Sequence, residues 1–323
     1  MAATSTFVVG GVLTALARRL GVYGSGPLLP RLFGNPLPPK IPHIRFWIGY
    51  ADDRLTKPEF LEGLKKVLIP DTTAVGSGKG LIGYMPVVPG KAFYRTGSPP
   101  GVLTTPDEFA LVVYRDEAVY QAIRKTPEGA AYGAHHFNLD DIADKIGLPL
   151  LKGKGFFVKE ASGKGTSGSA VVQAYQGKVE IGSAYVTRLK ERFDWQGRTV
   201  YVRIRIRNTG VSDSDYLSSI QRSLNWTSKQ KQLTGHIVRV EKDFTLEYFM
   251  ADDMGDWVRF LSNETAKILR KRHPLSHITH SDWMIEVKPL PNSAAQSGTF
   301  PLDWRSGYQL VFPTEPWDPT HRA

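Results

Sequence analysis

The sequence predicts an α+β fold assembled from two copies of one β-α-β-β unit, on three observations. An alternating strand followed by a capped helix occurs twice, and Val200 and Tyr216 each lie 156 residues after Ile44 and Phe60. Strand, loop and helix start therefore superpose without a gap. Gly235 lies 152 residues after Gly83, so the following strand aligns after a four-residue deletion in the turn. Internal self-similarity of this kind marks a duplicated unit.

Each element has a local reason. Ile44, Phe46, Ile48 and Tyr50 alternate with Arg45, Trp47 and Gly49, the two-residue period of a half-buried strand. Thr56, Pro58 and Glu59 open a helix by cap, proline and capping box, and Phe60, Leu61, Leu64, Val67 and Leu68 form its apolar stripe. A glycine-rich turn at Gly76–Gly80 leads to a strand over Leu81–Val88, and Phe109–Tyr114 is a third. A helix over Asp116–Tyr132 is broken or kinked at Pro127. In the second copy Val200, Val202, Ile204 and Ile206 alternate with Arg203, Arg205 and Arg207, and Ser212 precedes a helix carrying Tyr216, Leu217, Ile220 and Leu224. Strands at Leu233–Val240 and Thr245–Met250 and a helix over Met254–Arg270 complete it.

This divides the chain into an N-terminal arm or targeting segment (1–43), a first repeat (44–150), an inserted β-rich segment (151–198), a second repeat (199–290) and an irregular tail (291–323). Within the insert, Ala170–Ala174 and Val179–Val186 are expected to pair as a hairpin. The tail carries Trp304 and Trp317 without a period of its own, as segments that pack on another surface do.

Composition narrows the function classes. Hydrophobic residues make up 41% and charged residues 22% of the 323, an ordinary globular balance. No apolar run approaches the roughly 20 residues that cross a bilayer. Cysteine is absent, which removes disulfides, thiolate metal sites and cysteine nucleophiles. The 41 Lys and Arg against 31 Asp and Glu give a net charge of +10 and favour anionic partners. The first acidic residue is Asp52, after Arg18, Arg19, Arg31, Lys40 and Arg45. The expected location is the cytoplasm, or an organelle matrix if this basic segment is a transit peptide.

Residues Glu108–Tyr120 and Tyr132–Phe137 resemble the second half of a dimeric α+β barrel module. That superfamily includes antibiotic-biosynthesis monooxygenase-like domains, stress-responsive barrel proteins and haem proteins such as chlorite dismutases and aldoxime dehydratases. The resemblance spans 44–140 and 200–288 and rests on pattern and topology. It implies two ferredoxin-like repeats in tandem, sheets face to face as in a pseudo-dimer, with a ligand between them.

On that arrangement Arg203 and Arg205 point into the barrel or out to solvent, and inside they need anions. Trp47 occupies the matching face of the first copy, and Tyr84 and His236 each follow a matched glycine. Trp47, Tyr84, Arg203, Arg205 and His236 are therefore the candidate ligand contacts. His136, His273 and His277 are the weak metal or haem candidates, Pro274 arguing against a regular helix between the last two. No Walker, nucleophile-elbow or RNA-recognition motif is present. Three functions stay open: a small-molecule-binding barrel, enzymatic in an oxidative or lyase sense; a structural subunit of a homo- or hetero-oligomer; and a nonspecific binder of nucleic acid or anionic surfaces.

Overall fold

The computed structural model describes residues 41–76, 78–88, 106–144, 152–159, 165–190, 200–208, 210–269, 281–287 and 308–309. The N-terminal arm up to residue 40, His273, His277 and most of the tail lie outside them.

β1 (His43–Gly49) is followed by a helical stretch in three parts: α1 (Lys57–Gly63), a π-helical turn (Leu64–Leu68) and α2 (Ile69–Gly76). The Thr56 side chain accepts from the Glu59 amide, and the Glu59 carboxylate accepts from the Thr56 amide at 2.7 Å, which is the expected capping box. Pro70 lacks the amide that would close the regular ladder, and the wider turn lies just before it. β2 (Leu81–Val88) and β3 (Glu108–Tyr114) follow. The expected break divides the next helix into α3 (Glu117–Lys125), capped by Asp116, and α4 (Pro127–His135), capped by Thr126. A Cβ at Gly129 would stand 2.0 Å from the Ile123 carbonyl, so only glycine lets α4 leave α3 this tightly.

β4 (Gly168–Ala174) and β5 (Ser183–Leu189) lead to β6 (Val200–Ile206), α5 (Asp213–Thr227), β7 (Leu233–Val240), β8 (Phe244–Ala251), α6 (Met254–Leu269), β9 (Ser281–Val287) and β10 (Tyr308–Gln309). One sheet runs β10-β2-β3-β1-β4-β5-β7-β8-β6-β9. The orders β2-β3-β1-β4 and β7-β8-β6-β9 follow the same pattern. The β2–β3 register shifts between Leu81 and Gly83, and the β7–β8 register shifts between Leu233 and Gly235.

The expected hairpin is corrected. β4 and β5 pair in parallel, Val172 opposite Ala184, while β4 pairs antiparallel with β1 on its other edge. The connection does not turn back tightly. It carries Val179 into a buried cluster with Tyr216 and Ile220 of α5 before β5 begins.

The sheet curls until its two halves face each other. Ile44, Phe46 and Ile48 of β1 and Phe109, Leu111 and Val113 of β3 share one buried cluster with Val202, Ile204, Leu246 and Tyr248 from the other half. Tyr248 on β8 meets Phe46 and Phe109 edge-on, and its hydroxyl donates to the Met85 carbonyl of β2 at 3.1 Å. Apolar side chains fill most of the space between the facing halves, each contributing about 1.5–3 kcal/mol on full burial. Buried Arg239 also enters it, donating to the Phe46 carbonyl at 2.6 Å beside a pocket of about 530 Å3 lined in part by Ile48, Tyr50 and Phe244. Helices cover much of the outer faces, where Tyr84, Val112 and Tyr114 pack in one cluster and Tyr201 and Phe249 in another.

Candidate functional site

The outward faces carry the polar chemistry, in two places. Under α1–α4, a partly open cavity of about 120 Å3 lies between the first half of the sheet and its helices. A water needs roughly 10–15 Å3 by such a measure. Drug-sized ligands occupy roughly 300–1,000 Å3. The space suits a small molecule and does not fit a haem macrocycle, so no haem chemistry is assigned to it.

β1 contributes Arg45 and Trp47 to the cavity, β2 contributes Tyr84, β3 contributes Glu108, Ala110 and Val112, and α4 contributes Tyr132 and Gly133. Glu108 opens β3, is 1% exposed, and its Oε2 has no hydrogen-bond partner among the described residues. Burial pushes its carboxyl from 4.5 up to about 8. The nearby Trp47 N–H opposes this more weakly. Glu108 is thus a neutral acid at pH 7.

The neighbouring donors are also neutral. Burial, and then the Glu108 charge, raise the Tyr84 hydroxyl far above its usual range, and burial does the same to Tyr132. The hydroxyls of Tyr132 and Thr72 lie 2.7 Å apart, and Thr72 donates to the Leu68 carbonyl at 2.6 Å. Burial lowers His136 to about 4, despite the hydrogen bond of its Nδ1 to the Tyr132 carbonyl at 2.9 Å. The unprotonated Nε2 of this neutral ring leaves a lone pair. Trp47 packs edge-on against His136, ring centres 4.9 Å apart.

In the second half the corresponding layer is closed by ions. Arg203 donates to both Glu264 oxygens at 3.0 and 2.9 Å and to Glu247 at 3.1 Å. Arg205 lies 3.4 Å from the other Glu247 oxygen. His236 donates through Nε2 to Glu247 at 3.1 Å, and its Nδ1 faces the Thr187 hydroxyl at 2.7 Å. Burial pushes the Glu247 carboxyl up, but Arg203, Arg205 and His236 outweigh it and hold the group well below its usual range. Burial keeps His236 neutral in spite of Glu247. Two guanidiniums thus meet two carboxylates, and the charge closes on itself.

The structure therefore separates the five sequence candidates. Trp47 and Tyr84 line the cavity, together with His136; Arg203, Arg205 and His236 do not. None of the five belongs to the apolar cluster between the sheet halves. A two-residue period separates two faces but does not say which face the helices cover. Glu108, Tyr132 and Thr72 were missed. A carboxylate at the first position of an otherwise apolar strand was the available signal for Glu108. Among the described residues no group of three His, Asp or Glu side chains is arranged to hold a metal ion. No helix among them is long and apolar enough to cross a membrane.

The fold and cavity define a mixed α+β protein with a curled sheet and a small-molecule-sized space beneath its first helical layer. No protein-family model matches the sequence, and no curated protein does. Solved structures similar to it include two bacterial proteins each described as a putative monooxygenase. That from Fusobacterium nucleatum has a TM-score of 0.37 and 10% identity, over 76% of this chain and 91% of its own. That from Lactobacillus acidophilus has a TM-score of 0.33 and 7% identity, over 76% and 93%. An anthrone oxidase-like protein gives 0.29 and 10%, over 77% and 92%.

Proposed function

We propose that the chain is a small-molecule-binding α+β barrel with two ferredoxin-like repeats in one polypeptide, a working cavity beneath its first helical layer, and Glu108 as the group that moves a proton to or from the bound molecule. The observation that carries this reading is a buried carboxyl on the wall of a cavity whose Oε2 has no hydrogen-bond partner among the described residues. Such a group is unfavourable for folding and is suited to general acid–base work near neutral pH.

The shared strand order and the matched register shifts support the repeats. Across the ladders Trp47 faces Ala110 where Arg203 faces Glu247, and Tyr84 faces Val112 where His236 faces Phe249. Small residues leave space in the first repeat, and the same places are filled by Glu247 and Phe249 in the second. Trp47 and Tyr84 then serve the ligand, while Arg203, Arg205 and His236 hold the filled copy together.

Glu108 donates its proton to a ligand atom gaining charge, and His136 offers a neutral lone pair to accept one. Tyr84 and Tyr132 present neutral hydroxyls that orient a polar group. Proton transfer serves an elimination, and equally the opening step in oxidising an acidic C–H or O–H, so both enzymatic readings of the sequence stay within reach of these residues.

The test uses ligand-observed NMR with a library of small planar aromatics on the native chain and on Val112→Phe, which copies Phe249. Binding that disappears in a Val112→Phe chain of unchanged melting temperature supports the reading. Binding that survives the substitution, or no binding to the native chain, sinks it.

A further inference from the structure

Charge on the cavity wall narrows the ligand further. Among the residues lining it, the acidic one is Glu108 and the cationic ones are Arg45 and Arg124. Burial keeps Glu108 uncharged at neutral pH and burial keeps His136 neutral, so no anion on the wall balances the two arginines.

The two cations differ in what they already hold. Arg45 donates from Nε to the Ser169 hydroxyl at 3.2 Å and lies 5.0 Å over the Tyr120 ring. Arg124, on α3, makes no hydrogen bond or ion pair among the described residues. Its guanidinium lies across α4, with Nη1 3.4 Å from where a Cβ on Gly133 would stand. Burial dominates both neighbours, lowering His136 and raising Tyr114, and the Arg124 charge adds a smaller push toward the unprotonated form of each. Arg124 is itself exposed, so its guanidinium meets solvent at the edge of the cavity it lines. The walls themselves are aromatic: Trp47, Tyr84, Tyr114 and Tyr132.

We infer that the cavity takes a small aromatic acid, its ring among these side chains and its anionic group hydrogen-bonded to the Arg124 guanidinium at the mouth. This rests on the cavity reading above and names the ligand class for it. The planar fork of arginine matches a carboxylate with two parallel hydrogen bonds, and charge-assisted bonds of that kind are the strong ones. Glu108, uncharged, does not repel such a ligand.

The probes are benzoate and its neutral isostere benzamide, titrated into the native chain and into Arg124→Gln, with the Trp47 indole N–H resonance reporting the site. Benzoate is expected to shift that resonance and to bind at least about tenfold more weakly to Arg124→Gln. Benzamide is expected to bind both chains equally. Benzoate binding unaltered by Arg124→Gln overturns the inference. Benzamide binding without benzoate binding also overturns it while leaving the cavity reading standing. Binding of neither overturns both.

Discussion

Two buried glutamates show how context sets the behaviour of one residue type. Glu108 has an indole beside it and stays protonated, while Glu247 sits between two guanidiniums and stays ionised. Glu108 makes stability depend on pH in a defined direction. Its pKa is about 8 folded against an ordinary 4.5, so the native state holds the extra proton between these values and stability falls as pH rises through them. His136, lowered from 6.5 to about 4, has the opposite slope below pH 6.5, where the unfolded chain holds the extra proton. The two effects offset each other from about pH 4.5 to 6.5, and only the Glu108 slope remains above. Urea denaturation is therefore expected to show native stability falling by about 1.4 kcal/mol per pH unit between pH 6.5 and 8, relative to Glu108→Gln. Parallel curves for the two proteins would mean that Glu108 is already ionised.

Among the elements, the best-read ones carry their signal in adjacent residues. Thr56 with Glu59, Asp116 and Ser212 each mark a helix start, and Pro127 marks the break between α3 and α4, because caps and breaks act between near neighbours. What β4 pairs with was not legible, since parallel and antiparallel partners draw on the same alternating pattern and the choice depends on Val179 finding α5. Glu108 escaped notice for a related reason. Its burial comes from helices distant in the chain, and a polar residue at a strand start is ordinary. Thr126 joins two roles, ending α3 through its hydroxyl on the Ile123 carbonyl and capping α4 through the Gly129 amide at 3.0 Å. Thr126→Ala is expected to cost about 1 kcal/mol in denaturant titrations and to broaden the amide signals of Tyr132 and Gly133. A loss below about 0.3 kcal/mol would show that α4 is held by packing and not by its cap.

For the whole molecule, the decisive feature is the apolar interior shared by the two facing halves. Phe46, Phe109 and Tyr248 interlock, and neither half retains a complete core without the other. Native-state hydrogen exchange is thus expected to give the slowest amides of β1 and β6 the same opening free energy within about 0.5 kcal/mol, as for one cooperative unit. A large gap would mean that the halves open independently. Continuity of the sheet through β5, paired with β4 on one side and β7 on the other, has a further consequence. Two identical chains related by a twofold axis must carry every substitution twice, once on each side. A single polypeptide is free of that symmetry. It can fill the space beneath one helical layer with Arg203, Glu247 and Phe249, keep Ala110 and Val112 beneath the other, and hold both arrangements in one sheet whose integrity does not change on dilution.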